Sequence, residues 1–176
     1  MDPDTTEHLL IESITAEHAA ALYPVLDDDQ IYRYVPTRRC ESPEELAAQF
    51  AKWQAGPQNG ESEVWLNWAL RERSRGHFLG TLQATVLSDD SAWIGYLLGS
   101  RFWGLGYASE ACRWLLCRLA NDYGVKLALA SVDSRNVRSI ALLRRLDMLH
   151  ASTETAELRG ESTVDFHFTK ALVPDP

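Results

Sequence analysis

Near Val64 the hydrophobic period of the chain changes from helical to alternating, and at Tyr107 it changes back. Leu66, Trp68 and Leu70 alternate with Asn67, Ala69 and Arg71, which places one set of side chains on each face of a strand. Ser74-Arg75-Gly76 turns the chain into a second strand, His77 to Leu87, and Ala92 to Leu98 is a third. Strands this close in sequence predict an antiparallel meander. From Tyr107 to about Tyr123, Ala108, Ala111, Leu115, Leu119 and Ala120 recur at helical spacing, and Gly124 is the stop. Lys126 to Val132 is a short apolar strand entered from that helix, the pattern of a crossover that makes two strands parallel. The expected fold is α/β (α+β), a mixed and mostly antiparallel twisted sheet flanked by helices, with a central βαβαβ segment.

The flanks supply the remaining elements. Leu9 to Ile14 is a first strand; Thr15 caps a helix from Ala16 to about Leu22, with Pro24 just past its end; Asp27-Asp28-Asp29 is a loop. Ser42 as N-cap, Pro43 at the first position and Glu45 at the third open a helix that runs to about Gln54 and stops at residues 56–60. Asn136 to Leu146 is a helix by its Ile140, Leu142, Leu143 and Leu146 pattern, and two last strands are expected at Leu149 to Thr153 and Ser162 to Leu172. The 176 residues suit one domain, 1–176, with no internal repeat or linker.

Composition narrows the function. A formal charge of -8 argues against a nucleic-acid-binding face, which needs clustered Lys and Arg, and favours a cationic or amine substrate. The three cysteines, Cys40, Cys112 and Cys117, form no CxxC pair, which fits reduced thiols in a cytoplasmic protein and no metal site. The acidic start, Met1-Asp2-Pro3-Asp4, leads into no signal-peptide core, and no stretch is apolar enough to span a membrane.

The segment that carries chemistry is Arg101-Phe102-Trp103-Gly104-Leu105-Gly106-Tyr107-Ala108-Ser109-Glu110, between a predicted strand and a predicted helix. Gly104 and Gly106 allow a sharp turn close to a ligand, and the unpaired N–H groups of a helix start favour a phosphate, so the loop suits a pyrophosphate. Two glycines at a strand-to-helix turn also invite a dinucleotide-binding reading. Only about forty residues follow Asp133, too few for the further βα units that such a domain needs, and Ser109 stands at the third glycine position.

The pattern Arg-x-x-Gly-x-Gly-Tyr-Ala-x-Glu-Ala over Arg101 to Ala111, preceded by Ile94-Gly95-Tyr96-Leu97 and followed by Asn136-x-x-Ser139-Ile140, resembles the GNAT superfamily of N-acetyltransferases. The likeness is closest to its Rim-type branch, which acetylates ribosomal-protein N-termini and related amines. It extends over Tyr32 to Pro36 and Gly80-Thr81. The resemblance implies acetyl-CoA as acyl donor and an amine acceptor, a protein N-terminus or a small molecule. It also implies a monomer or homodimer. Backbone amides of Arg101, Phe102, Trp103, Gly104, Leu105, Gly106, Tyr107 and Ala108 would hold the pyrophosphate, and the strand at Tyr96, Leu97 and Leu98 would pair with the pantetheine arm. An N–H near Leu97 or Leu98 would face the developing oxyanion, and Asn136 and Ser139 would lie beside the thioester sulfur as catalytic residues.

The chain departs from the family pattern at three places. Leu143 stands where many members carry a tyrosine acid, which leaves Ser139 or a water to protonate the thiolate. Trp93 stands where an acidic residue often serves as base, so Asp133, His150, His167 and Glu63 are the alternatives. Asp147-Met148 replaces the usual Gly-Phe after the last helix, at a cost of about 1 kcal/mol for the left-handed turn. A non-catalytic CoA-binding regulatory or interaction module is the competing expectation. Trp65, Trp68, Trp93 and Trp103 are expected in the core or an interface more than in an acceptor groove.

Overall fold

A computed structural model describes residues 4–57 and 62–174. Met1 to Pro3 of the acidic start, and Gln58 to Gly60 of the predicted helix stop, lie outside the described residues. The strands are β1 (Asp4–Thr5), β2 (Leu9–Ser13), β3 (Val64–Glu72), β4 (Phe78–Val86), β5 (Ser91–Leu98), β6 (Leu127–Asp133), β7 (Leu149–Leu158) and β8 (Glu161–Ala171). They form one sheet in the order β1-β2-β3-β4-β5-β6-β8-β7. Every pairing is antiparallel except β5 with β6, which is parallel. The helices are α1 (Ala19–Leu26), α2 (Asp29–Tyr32), α3 (Pro43–Ala55), α4 (Tyr107–Tyr123) and α5 (Val137–Arg145).

The alternation along β3 divides the core as the sequence predicts. Trp68 and Leu70 face the cluster built with α4 and α5, together with Leu115, Leu119, Leu143 and Phe168. Ala69 faces the other cluster, built by α1 and α3 around Leu22, Leu46 and Phe50. Burying each such large side chain contributes about 2 kcal/mol, so helices cover both faces of the middle of the sheet. The βαβαβ segment differs from the simple expectation in one respect. β8 inserts between β6 and β7, which leaves β7 at the edge and makes β5–β6 the single parallel contact among the described residues.

Local punctuation explains the shifted boundaries. The first helix does not end before Pro24: a 3-10 turn at Ala16–His18 leads into α1, which continues through Pro24 to Leu26. Burial of Leu22, Val25 and Leu26 outweighs the hydrogen bond that Pro24 cannot donate. The acidic triplet is not only loop, because Asp28 caps α2 by accepting the Gln30 N–H at 3.0 Å. β7 runs five residues beyond the predicted Thr153, to Leu158, because an exposed edge strand carries little apolar alternation and is held by its β8 partner.

Asp147 adopts the left-handed turn after α5, with φ of 57°. The Met148 N–H reaches the Leu143 carbonyl and the Asp147 N–H the Arg144 carbonyl, both at 3.0 Å, which is a Schellman closure. Lys170 lies 3.6 Å from the exposed Asp147 carboxylate, a contact of small value. Asp147→Gly is therefore expected to stabilise the fold by about 1 kcal/mol. A higher denaturation midpoint at unchanged slope is the expected result; a lower midpoint contradicts it.

Candidate active site

The site begins where β5 and β6 part. Their parallel pairing covers only Ser91↔Leu127, Ala92↔Ala128 and Trp93↔Leu129. Beyond it, β5 stays paired with β4 as far as Leu98, and β6 stays paired with β8 as far as Asp133. Gly99 donates to the Leu79 carbonyl and the Ser91 carbonyl accepts from Leu87, so the odd-numbered residues of β5 direct their backbone groups at β4. Tyr96 and Leu98 consequently direct theirs into the gap. This narrows the predicted oxyanion donor to the Leu98 N–H, because Leu97 uses its backbone on Thr81 and packs its side chain toward the α1–α3 cluster. The Leu98 carbonyl, which has lost a strand partner, accepts the Trp103 indole N–H at 2.8 Å.

Below the gap, Ser100–Phe102 makes a 3-10 turn that the sequence does not announce, and Arg101 stacks on Phe102 at 4.7 Å. Gly104 and Gly106 follow with φ of 77° and 91°, and a Cβ on either would meet nothing within 4 Å. Both are needed for left-handed backbone beside open space. Leu105 is exposed between them, and Gly106 caps α4, whose first in-helix bond is Glu110 N–H to the Gly106 carbonyl. The N–H groups of Tyr107, Ala108 and Ser109 have no partner within α4 and stand at the positive end of its dipole. The loop geometry fits a pyrophosphate.

Three carboxylates anchor these pieces. Asp28 accepts the Ser100 N–H at 3.2 Å as well as capping α2; burial pushes its pKa up, but bonds from Ser100 and Gln30 outweigh that and hold it low. Glu72, at the end of β3, accepts the Tyr107 hydroxyl at 2.9 Å. Glu110 accepts from the Thr6 hydroxyl and from the His8 N–H at 2.7 Å, which ties α4 to the β1–β2 turn.

On α5, Asn136 is the N-cap, its side chain accepting the Ser139 N–H at 3.2 Å. Ser139 is half-buried and its side chain lies beside the Tyr96 phenol. Burial against the α4–α5 cluster pushes the Tyr96 phenol up, Cys112 adds to this, and the Ser139 side chain opposes it. The structure thus brings Tyr96, Leu98, Asn136 and Ser139 to one gap. Cys112 is fully buried, its thiol pushed up to about 12 by burial, and serves as packing.

The candidate bases separate clearly. Asp133 is buried and bound by Arg135 through Nε at 2.9 Å and Nη2 at 2.6 Å and by the Thr163 hydroxyl at 2.9 Å. The Arg135 bond chiefly holds its carboxyl below the usual range, so it is a weak proton acceptor. Glu63 accepts the Trp65 indole N–H, and His150 lies against Thr153, Phe166 and Phe168. His167 packs edge-on against Trp93 with ring centroids 6.0 Å apart, and its Nε2 lies 3.3 Å from Glu154. It pairs with Ser131, beyond the last β5–β6 contact, and so borders the gap on the face opposite α4 and α5. Among the described residues no group of three or more His, Cys, Asp or Glu could hold a metal ion, and no helix is long and apolar enough to cross a membrane.

The family model of the acetyltransferase (GNAT) domain matches residues 8–149. The chain belongs to the GNAT acetyltransferases. It is 24% identical over 143 residues to the uncharacterized N-acetyltransferase YoaA of Bacillus subtilis (strain 168), covering 80% of this chain and 79% of that protein. Its fold is that of the RimL ribosomal L7/L12 alpha-N-protein acetyltransferase in complex with coenzyme A, at 17% identity and TM-score 0.85, with 99% and 100% of the two chains covered. It is also that of the ribosomal-protein-S5-alanine acetyltransferase from Vibrio fischeri, at 14% identity and TM-score 0.83, covering 98% and 97%.

Asp133 sits beside Asn136 in the β6–α5 turn, and its ion pair with a half-exposed Arg135 sets a stability prediction. Asp133→Asn is expected to cost about 2 kcal/mol at neutral pH, less than for a wholly buried pair. Because the folded-state pKa is lowered, this contribution is present above the unfolded carboxylate pKa and is lost as pH falls through the folded value. The wild type and variant should converge in urea midpoint in strong acid; a constant difference down to that range contradicts the assignment.

Proposed function

We propose that the chain acts as a single acetyltransferase domain that moves the acetyl group of acetyl-CoA directly to a primary amine, along the gap between β5 and β6. The parting of these strands after Trp93 and Leu129 is the observation that carries the reading, since it leaves the Tyr96 N–H and carbonyl and the Leu98 N–H available to an extended ligand, the Leu98 carbonyl being taken by Trp103. The amides from Arg101 to Ala108, with the α4 dipole behind them, would hold the pyrophosphate. Tyr96 and Asn136 would hold the pantetheine arm.

When bound, acetyl-CoA supplies an activated thioester whose carbonyl carbon takes the amine nitrogen as the C–S bond breaks. The Leu98 N–H supplies the hydrogen bond that a carbonyl oxygen needs as it gains negative charge. The Ser139 hydroxyl, beside Tyr96, would donate a hydrogen bond to the departing sulfur, which takes its proton from water, in the place of the tyrosine that Leu143 replaces. The amine loses one proton, and His167, beside Trp93 on the opposite face, is the group placed to receive it, directly or through water.

Calorimetric titration with acetyl-CoA, paired with acetyl transfer to a panel of amine-bearing peptides, tests this reading. Gly104→Glu puts a carboxylate beside the proposed phosphates and strains a backbone at φ 77°, so affinity should fall by about tenfold or more. His167→Asn should bind acetyl-CoA normally and lose turnover. Unchanged affinity in the Gly104 variant contradicts the cradle, and unchanged turnover in the His167 variant removes it as proton acceptor.

A further inference from the structure

Beside Asn136 the surface carries a cleft of ≈ 340 Å³ lined by Arg33, Tyr34, Arg135, Leu158, Arg159 and Glu161. Three arginines meet there from distant parts of the chain. Arg33 follows α2, Arg135 lies in the β6–α5 turn, and Arg159 occupies the two-residue turn between β7 and β8, with φ of 53° followed by Gly160 at 81°. Two guanidinium groups lie over the Tyr34 ring, Arg33 at 5.2 Å and Arg135 at 5.7 Å.

The charges are not equally compensated. Arg135 is committed to Asp133 and lies 3.7 Å from Glu161. Arg159 donates through Nη2 to the Tyr32 carbonyl at 2.6 Å and to the Val35 carbonyl at 3.4 Å, which fixes the guanidinium over the cleft, and among the described residues its Nε and Nη1 take no partner. Among the described residues neither Arg33 nor Arg159 has a carboxylate within 4.0 Å. The neighbouring cleft, ≈ 500 Å³ and sharing Arg159, differs: its Arg38 pairs with Glu41 and Glu45, and its Arg39 with Asp27 and Asp29. In a chain with an overall charge of -8, this cleft gathers two such cations, Arg33 and Arg159, beside Arg135, the residue that precedes the N-cap of α5.

We infer that this cleft reads a carboxylate on the acceptor, so that the preferred substrate is a primary amine with an acidic group close to it, such as an acidic peptide N-terminus. The inference rests on the acetyltransferase reading above and names its acceptor class. It reverses the expectation drawn from net charge, because a polycationic amine would meet Arg33 and Arg159 on its way to the gap. An acidic acceptor instead supplies the partner that these two guanidinium groups lack.

Steady-state transfer is compared for Ser-Glu-Asp and Ser-Lys-Arg N-terminal peptides and for free aspartate, with wild type, Arg33→Gln and Arg159→Lys. The acidic peptide should have a kcat/KM about tenfold or more above the basic one, and Arg33→Gln should raise KM for the acidic peptide alone. Arg159→Lys keeps the charge and the turn but loses the fork, and is expected to give a smaller rise. Aspartate used as well as the peptide assigns the carboxylate to a small molecule; aspartate unused assigns it to a polypeptide, and either supports the cleft. Equal kcat/KM for the two peptides, or an equal loss on both in Arg33→Gln, overturns the inference. Direct titration of the acidic peptide in the presence of CoA reads the cleft without turnover. Peptide binding abolished by Arg33→Gln in a protein that transfers no acetyl group would uphold the cleft while the transferase reading failed. Normal transfer without charge preference would do the reverse.

Discussion

Two strands that begin as neighbours and then separate are the constraint on which the structure depends. β5 is held by β4 along its whole length, and β6 by β8, so the three residue pairs they share act as a hinge for a fixed opening. Small side chains, Ala92 and Ala128, meet at the closed end. At the open end the Tyr96 side chain packs against the α4–α5 cluster, beside Ser139. Unpaired backbone at the centre of a sheet is costly unless another group satisfies it, and the Trp103 indole already does so for the Leu98 carbonyl.

The opening is useful only if the parts around it hold their places. Polar contacts between distant segments do this. Asp28 joins α2 to the 3-10 turn after β5, Glu72 joins the end of β3 to the first residue of α4, and Glu110 joins α4 to the β1–β2 turn. Each carboxylate is held in its ionised form by donors around it, so the cradle is kept by charge-assisted bonds rather than by the apolar clusters alone. Arg138 stacks on Trp103 at 4.8 Å and carries the same connection from α5 to the loop.

The local features of this arrangement were legible in the sequence. Gly104 and Gly106 marked the turn, the periodicity of residues 107–123 marked α4, and Asn136 with Ser139 marked the start of α5, because short-range sterics and capping act on neighbours in the chain. The insertion of β8 between β6 and β7 was not legible, since strand order follows from long-range pairing. Nor was the gathering of Arg33, Arg135 and Arg159, which no motif joins. Asp27, Asp28 and Asp29 read as a solvated loop because a capping role depends on which amides stand nearby, and Ser100 lies far along the chain. Net charge points to a cationic acceptor and the arginine cleft to an acidic one, because a sum over the whole surface does not describe one cleft.

The central claim is that the opening between β5 and β6 is the acyl-donor site. Amide hydrogen exchange with and without acetyl-CoA tests it at the level of single strands. Protection on binding is expected at Tyr96, Leu98 and residues 104–109, where the backbone donors stand free, with β7 and β1 unchanged. Saturating acetyl-CoA that leaves Tyr96, Leu98 and residues 104–109 exchanging as before, or that protects another surface instead, would contradict the account.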